Sequence, residues 1–140
     1  MKKFFCALCA AAILLGGVAC ARKADVEIRE NLYLTQINEI YRNKEEYLGK
    51  TIHLEGLYVS SQAGERGYQM VRRYGPSCCD LDGAAGFEFL WDGKRPEQND
   101  WIEVWGRLEE YQKEDGYTYL RLNLTDLKVK EQAGEAYVSK

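Results

Sequence analysis

The spacing of the apolar residues changes at Gly49, and this change constrains the fold more than any other feature of the sequence. After Gly49 apolar and polar residues alternate, as in Ile52 and Leu54 against His53 and Glu55. Alternation with a period of two is typical of strands that bury one face. The pattern predicts five strands, at residues 51–60, 67–74, 87–91, 101–111 and 117–124.

The segment before Gly49 has helical spacing instead. Ile28, Leu32, Ile37 and Ile40 recur at intervals that place them on one face of a helix. Gly49 is a typical residue to follow a helix end, because glycine tolerates the backbone conformation found there. The spacing predicts one helix over about residues 28–48.

Glycines inside the predicted strands indicate bends. At Gly56 the alternation slips, so that Leu57 and Val59 become the predicted inward residues, and Gly106 interrupts a second strand. Both positions predict β-bulges, which bend strands and help a sheet to close. The fold predicted is therefore mainly β, a small five-stranded OB-fold-like barrel with an N-terminal α-helix. An SH3-like barrel and an antiparallel sheet packed by the helix are the alternatives.

The first twenty residues have the composition of an export signal. Lys2 and Lys3 precede an apolar run over residues 4–19 that is rich in alanine and glycine, which suits a cleaved signal better than a permanent membrane span. The run ends in small residues before Cys20 and resembles a lipobox, although Gly17 stands where leucine is usual. Cleavage by ordinary signal peptidase and a retained N-terminal helix are the alternatives.

This interpretation divides the chain into a signal peptide (1–20), a tether (21–27) and one domain (28–140). The domain contains the helix, a barrel over about residues 50–130 and a polar tail at 131–140. Lipidation of Cys20 would hold the domain on the extracytoplasmic face of a membrane in the bacterial cell envelope. The net charge of −3 becomes more negative once Lys2 and Lys3 are removed, which argues against nucleic acid as a partner.

Two of the five cysteines remain in the domain, and they are adjacent. Cys78 and Cys79 could bind Zn²⁺ or Cu(I), form a strained vicinal disulfide that responds to redox conditions, or serve packing alone. In the metal hypothesis Asp80, Asp82 or His53 would complete the coordination shell. The sequence leaves these three alternatives open.

Arginine and tyrosine residues recur on the predicted strands and suggest a second candidate site. An exposed sheet face that carries them could bind an anionic or sugar-like ligand by charge and stacking, the alternative being cross-strand pairing with neighbouring side chains. The sequence contains no recognisable catalytic motif, so a non-enzymatic module is expected. The candidate ligand-binding residues are Arg72, Arg73, Tyr74, Tyr119 and Arg121.

Three stretches of the domain resemble a known family. They are residues 30–56 (within them 30–33, 37–41 and 47–56), the Arg72-Arg73-Tyr74 run before the cysteine pair and Asp82, and residues 99–106. In this order they are similar to the C-terminal extracytoplasmic domain of YcgQ-like proteins, a bacterial family of permease subunits. The resemblance implies a permease or other envelope protein as partner. It also implies a role for Arg73, Cys78, Cys79 and Asp82.

The sequence thus leads to two functional hypotheses. The first is an exported, membrane-anchored accessory or binding module that responds to metal or redox state through Cys78 and Cys79, beside a permease. The second is a ligand- or protein-binding lipoprotein that uses the arginine and tyrosine face, with structural cysteines.

Overall fold

A computed structural model of the chain describes residues 22–61, 67–76 and 82–139, with Asp82 described by its backbone alone. Short 3₁₀ turns at Glu30–Leu32 and Lys44–Glu46 flank the helix. The elements in chain order are β1 (Val26–Glu27), α1 (Tyr33–Arg42), β2 (Thr51–Ser60), β3 (Gln69–Pro76), β4 (Asp82–Leu90), β5 (Trp101–Gln112) and β6 (Thr118–Val129).

Helix α1 is shorter than the apolar spacing predicts. Tyr33, Ile37 and Ile40 form its buried face, which explains why this segment is helical. The next residue after the helix, Asn43, leaves the helical region at φ −118° and ψ 41°. Its N–H still donates to the carbonyl of Glu39. The expected helix over 28–48 is therefore one helix between two 3₁₀ turns.

The strands form one six-stranded sheet, so the prediction of a mainly β fold is confirmed. The order is β1-β2-β3-β4-β6-β5, and β2 also pairs with β5. The five strands β2, β3, β4, β6 and β5 pair in a cycle in this order, and within the cycle each strand pairs with two of the other four. Only the β4–β6 pairing within this cycle is parallel.

Strand β2 changes partner along its length, and Gly56 lies where it does so. Residues 51–57 of β2 pair with β5, and its last four residues, 57–60, pair with β3, so Leu57 pairs with both strands. A Cβ on Gly56 would lie 2.7 Å from the carbonyl oxygen of Arg72, so glycine permits the close approach of β3. The predicted slip at Gly56 is wrong, because Tyr58 continues the inward set and Leu57 is only half-buried.

The second predicted bulge is confirmed in position. The register between β5 and β6 shifts between Trp105, opposite Asp126, and Gly106, opposite Leu124. The extra residue is Thr125 on β6, whose hydroxyl donates to the carbonyl of Trp105 at 3.2 Å. The bulge therefore lies on β6, opposite Gly106 of β5.

Both ends of the described chain pack onto the sheet. Val26 and Glu27, expected in a tether, form β1 and pair in parallel with β2. Val138, expected in a polar tail, is 5% exposed, and its N–H donates to the carbonyl of Tyr74 at 2.8 Å. The core that they help to close lies between the sheet and α1. Its fully buried members include Tyr33, Ile37, Ile40, Ile52, Leu54, Val71, Phe87, Ile102, Val104 and Leu122.

Among the described residues, no helix has both the length and the apolar character needed to cross a membrane.

We expect Gly86→Ala to destabilise the domain by about 1–3 kcal/mol, the usual cost of overpacking. The added Cβ would meet the carbonyl oxygen of Val71 and lie 2.8 Å from the Cα of Arg72, and a strand backbone cannot move aside without losing its pairing. Urea unfolding followed by circular dichroism measures the change. Ala84→Ser, at an exposed position of the same strand, serves as the control, and an equal loss in both variants would contradict this explanation.

Candidate functional site

A cleft of about 700 Å³ lies over the outer face of β4, β6 and β5. The strand register brings charged side chains together at its floor, since Arg121 on β6 lies opposite Glu88 of β4 and also opposite Glu109 of β5. Side chains at alternate positions of β6 point outward there, while Leu120 and Leu122 point into the core. The cleft therefore places strand side chains of opposite charge side by side.

Lys113 is the most constrained residue of this cleft. Its ammonium donates to Glu88 Oε1 at 2.7 Å and lies 4.2 Å from the ring centre of Tyr119 and 5.6 Å from that of Tyr111. The hydroxyl of Tyr111 donates to the other carboxylate oxygen of Glu88. The hydrogen bond to Glu88 raises the pKa of Lys113, so the lysine remains charged and fixed at neutral pH.

The same network extends to the hairpin between β5 and β6. Tyr119 donates its hydroxyl to Asp115 Oδ2 at 2.6 Å, which lowers the pKa of Asp115 and raises the pKa of Tyr119. Arg121 donates to Glu109 Oε1 at 2.6 Å, and its guanidinium lies 4.5 Å from the ring centre of Tyr111. Tyr119 and Arg121, both predicted as ligand-binding residues, are therefore neighbours held by cross-strand pairs.

Aromatic side chains line the opposite side of the cleft. Tyr68 is 42% exposed, and Trp91 follows directly after β4. The indole of Trp91 donates to the carbonyl of Lys94 at 3.1 Å and folds back over Gly93, where a Cβ would lie 2.5 Å from the ring. The turn therefore holds Trp91 in one orientation beside the exposed Arg95.

Arg72 and Tyr74 lie together on β3 and not among the residues that line the cleft. The guanidinium of Arg72 donates to the hydroxyl of Tyr74 at 2.9 Å and stacks 5.1 Å from its ring centre. The predicted arginine and tyrosine face is therefore two separate groups in the structure, one on β3 and one on β5 and β6.

Arg73 points into the structure, so its expected place on an exposed ligand face is wrong. It is 4% exposed and donates to the carbonyl of Glu55 at 2.9 Å and to Glu30 Oε1 at 2.8 Å. Its guanidinium lies 5.0 Å from the ring centre of Tyr33 and 4.7 Å from that of Trp101. Strand alternation explains this placement, because Arg73 shares the inward set of β3 with Val71.

Glu30 is held from two sides. The backbone N–H of Glu135 donates to it at 3.1 Å, and Arg73 donates to the same oxygen. These two hydrogen bonds lower the pKa of Glu30. The carboxylate therefore remains ionised and joins the start of the domain to its C-terminal segment.

His53 joins three strands and does not lie in a cluster of metal ligands. Its Nδ1 contacts Glu27 of β1, its Nε2 lies 3.0 Å from Glu103 Oε1 of β5, and its ring stacks 4.3 Å from that of Trp105. Both nitrogens thus have carboxylate partners. Within the ranges that the structure describes, no group of three or more histidine, cysteine or acidic side chains could hold a metal ion.

The structure does not describe the side chains of the other predicted site residues. Cys20, Cys78, Cys79 and Asp80 lie outside the described residues. The backbone of Asp82 pairs with Pro76 where β3 and β4 end. The metal and redox hypotheses for the cysteine pair therefore stay predictions.

Comparison with known families gives one result. The chain matches the DUF1980 C-terminal domain over residues 17–140. It belongs to this family. No curated protein matches the chain. The family is a domain of unknown function, and the cleft of this DUF1980 domain is the feature of its described residues that points to one.

Several side chains of the cleft in the DUF1980 domain were not among the predicted site residues. Glu88 lies within the predicted strand 87–91 and Lys113 lies two residues after the predicted strand 101–111, and neither position by itself indicates a site. Trp91 carried the stronger signal, since an aromatic residue before an Asp-Gly turn is held at the end of its strand. The pairing itself joins residues of different strands, and no local pattern specifies it.

We expect Arg73→Lys to lower the free energy of unfolding by about 1–3 kcal/mol, because a single ammonium cannot replace donors that point in two directions. Chemical denaturation at neutral pH measures the loss. The matched control is Arg72→Lys at the adjacent, outward position, which should change stability by less than about 0.5 kcal/mol. Equal effects at the two positions would show that burial of Arg73 does not matter to the fold.

Proposed function

We propose that this DUF1980 domain is an extracytoplasmic, membrane-anchored binding module that holds its ligand in the cleft over β4, β5 and β6. A volume of about 700 Å³ lies within the range of roughly 300–1,000 Å³ that small-molecule sites occupy. The hydrogen bonds of Lys113 and Trp91 hold the walls in place before a ligand arrives, which reduces the entropy lost on binding.

The observation that carries this proposal is where the cleft lies in the strand order. The cyclic pairing of β2 to β6, with one parallel pair, supports an OB-fold-like barrel in which β2 is the first strand. In OB-folds the connections between strands one and two and between strands four and five flank the ligand. Tyr68 follows β2 in the first of these connections, and Lys113 begins the second.

Membrane anchoring rests on the signal pattern and on Cys20. Strand β1 begins at Val26, only a few residues after that cysteine, so a lipid on Cys20 would hold the domain close to the membrane surface. In that location a permease or another envelope protein is the natural partner. The resemblance to YcgQ-like proteins supports the same association.

The cysteine pair supports a second candidate function, response to metal or redox state. The pairing of β3 with β4 continues as far as Pro76↔Asp82, so Cys78 and Cys79 belong to the short connection between two paired strands. In an oxidising compartment two adjacent thiols favour either a disulfide or a bound soft cation such as Zn²⁺ or Cu(I).

We expect an envelope ligand to change the fluorescence of Trp91. Trp91 is half-buried at the cleft, whereas Trp101 and Trp105 are 3% and 6% exposed, so a bound ligand should affect Trp91 most. The measurement is tryptophan emission of the full chain in detergent, titrated with size-fractionated extract of bacterial envelope.

The variant Trp91→Phe should remove the response, and Trp105→Phe should retain it. An unchanged response in Trp91→Phe, or no response of the unmodified protein to any fraction, would contradict ligand binding in this cleft.

Intact mass spectrometry of the protein purified from membranes tests the two cysteine assignments together. We expect a chain that begins at Cys20 and carries acyl mass, and a gain of a hydrogen pair after reduction if Cys78 and Cys79 form a disulfide. Cys20→Ser should abolish the lipid mass and leave the reduction shift unchanged. An unlipidated mature chain would disprove the anchor. If reduction causes no shift and the reduced protein binds neither Zn²⁺ nor Cu(I) in a titration, the cysteines are structural.

A further inference from the structure

We infer that the cleft selects a neutral saccharide, that is, a ligand rich in hydroxyl groups and without net charge. This inference rests on the proposed binding function and names the chemistry of its ligand. It follows from two independent properties of the cleft, which are the pairing of its charges and the presence of aromatic surfaces on its other side.

Two of the three basic side chains that line the cleft already have acidic partners within the protein. Lys113 is paired with Glu88, and Arg121 is paired with Glu109. The other charged lining residues are the basic Arg95 and the acidic Asp92, Glu114 and Asp115, so the lining has no excess of positive charge. An anion that binds Lys113 or Arg121 would have to displace the carboxylate of Glu88 or Glu109 and would gain little net Coulomb energy.

Paired charges are nevertheless good hydrogen-bonding groups for hydroxyls. The carboxylate of Glu88 accepts from Lys113 and Tyr111 and has further acceptor capacity, while the guanidinium of Arg121 has donors beyond the one directed at Glu109. A hydroxyl both donates and accepts, so neighbouring hydroxyls of one sugar ring can use both kinds of group. Neither a simple anion nor a simple cation can do this.

The aromatic side of the cleft suits the other face of a sugar. Tyr68 is 42% exposed, and Trp91 is held against Gly93 with its ring fixed by a hydrogen bond. The electron-rich face of such a ring attracts the partly positive C–H groups of a pyranose. The cleft thus presents stacking surfaces on one side and hydrogen-bonding groups on the other.

The acidic balance of the chain argues against the other large class of stacking ligands, nucleic acids. Nucleic acid also stacks on aromatic residues, but it requires a groove with excess positive charge. Here acidic and basic side chains line the cleft in nearly equal number. A neutral glycan meets no such requirement.

The test is isothermal titration calorimetry of the full chain with N,N′-diacetylchitobiose and with cellobiose. The detergent is dodecylphosphocholine, since a sugar headgroup would compete for the cleft. A second arm measures co-sedimentation with insoluble chitin and cellulose. Binding in the first arm identifies free oligosaccharides as the source, and binding only in the second identifies polymer chains. Binding in neither arm overturns the inference.

Tyr68→Ala should weaken saccharide binding about tenfold, which corresponds to the loss of one stacking contact. Tyr117→Ala is the matched control, because Tyr117 is 70% exposed on the β5–β6 hairpin and does not line the cleft. Equal affinities of the unmodified protein and Tyr68→Ala would place the saccharide elsewhere and contradict the inference.

Glu88→Gln tests the role of charge pairing directly. It removes the carboxylate that neutralises Lys113 and keeps the shape of the side chain, so saccharide affinity should fall while citrate, which should not bind the unmodified protein, becomes a ligand. Binding of citrate or spermidine to the unmodified protein in place of sugars would overturn the saccharide inference and leave the cleft as a binding site. If instead envelope extract causes no change in the fluorescence of Trp91, the proposed binding function itself is wrong.

Discussion

The buried guanidinium of Arg73 is the interaction on which the arrangement of the domain depends. It donates to the backbone of Glu55 on β2, to the side chain of Glu30 before α1 and, at 3.2 Å, to the carbonyl of Glu135 near the C-terminus. A buried charge is stable only when its donors are satisfied, so these three segments must all be in place together. The planar fork of arginine, between two aromatic rings, can meet partners in several directions at once.

The buried contacts of Arg73 and the cleft on the outer face are both consequences of strand alternation. On β3 alternation turns Arg73 inward, and on β6 it turns Tyr119 and Arg121 outward beside β4 and β5. The inner charge stabilises the fold by joining distant segments. Lys113 and Arg121 are paired with carboxylates, and the cleft is lined by four acidic and three basic side chains, which is the basis for proposing a ligand without net charge.

Much of the fold could be predicted from local patterns. Strand β2 begins and ends where the alternation predicts, and Gly106 correctly indicates a bulge. The start of β4 was missed because residues 82–86 are mostly glycine and alanine, which are weak strand formers, and their conformation comes from pairing with β3. At Gly56 the glycine indicated a slip, whereas the structure uses it to let another strand approach. Of the predicted site, Arg121 lines the cleft and Tyr119 contacts the cleft residue Lys113, while Arg73 is structural.

The sequence by itself determined that a helix precedes the strands β2 to β6, because periods of 3.6 and 2 are local properties of the chain, whereas β1 exists only through its pairing with β2. Tertiary structure alone decided which charged residues are buried and which meet. Arg73 and Glu30 are separated by 43 residues, and Lys113 and Glu88 by 25. Contacts at such separations depend on the strand order and register, so neither the partners of Arg73 nor the pairing of Lys113 with Glu88 is visible in any local pattern.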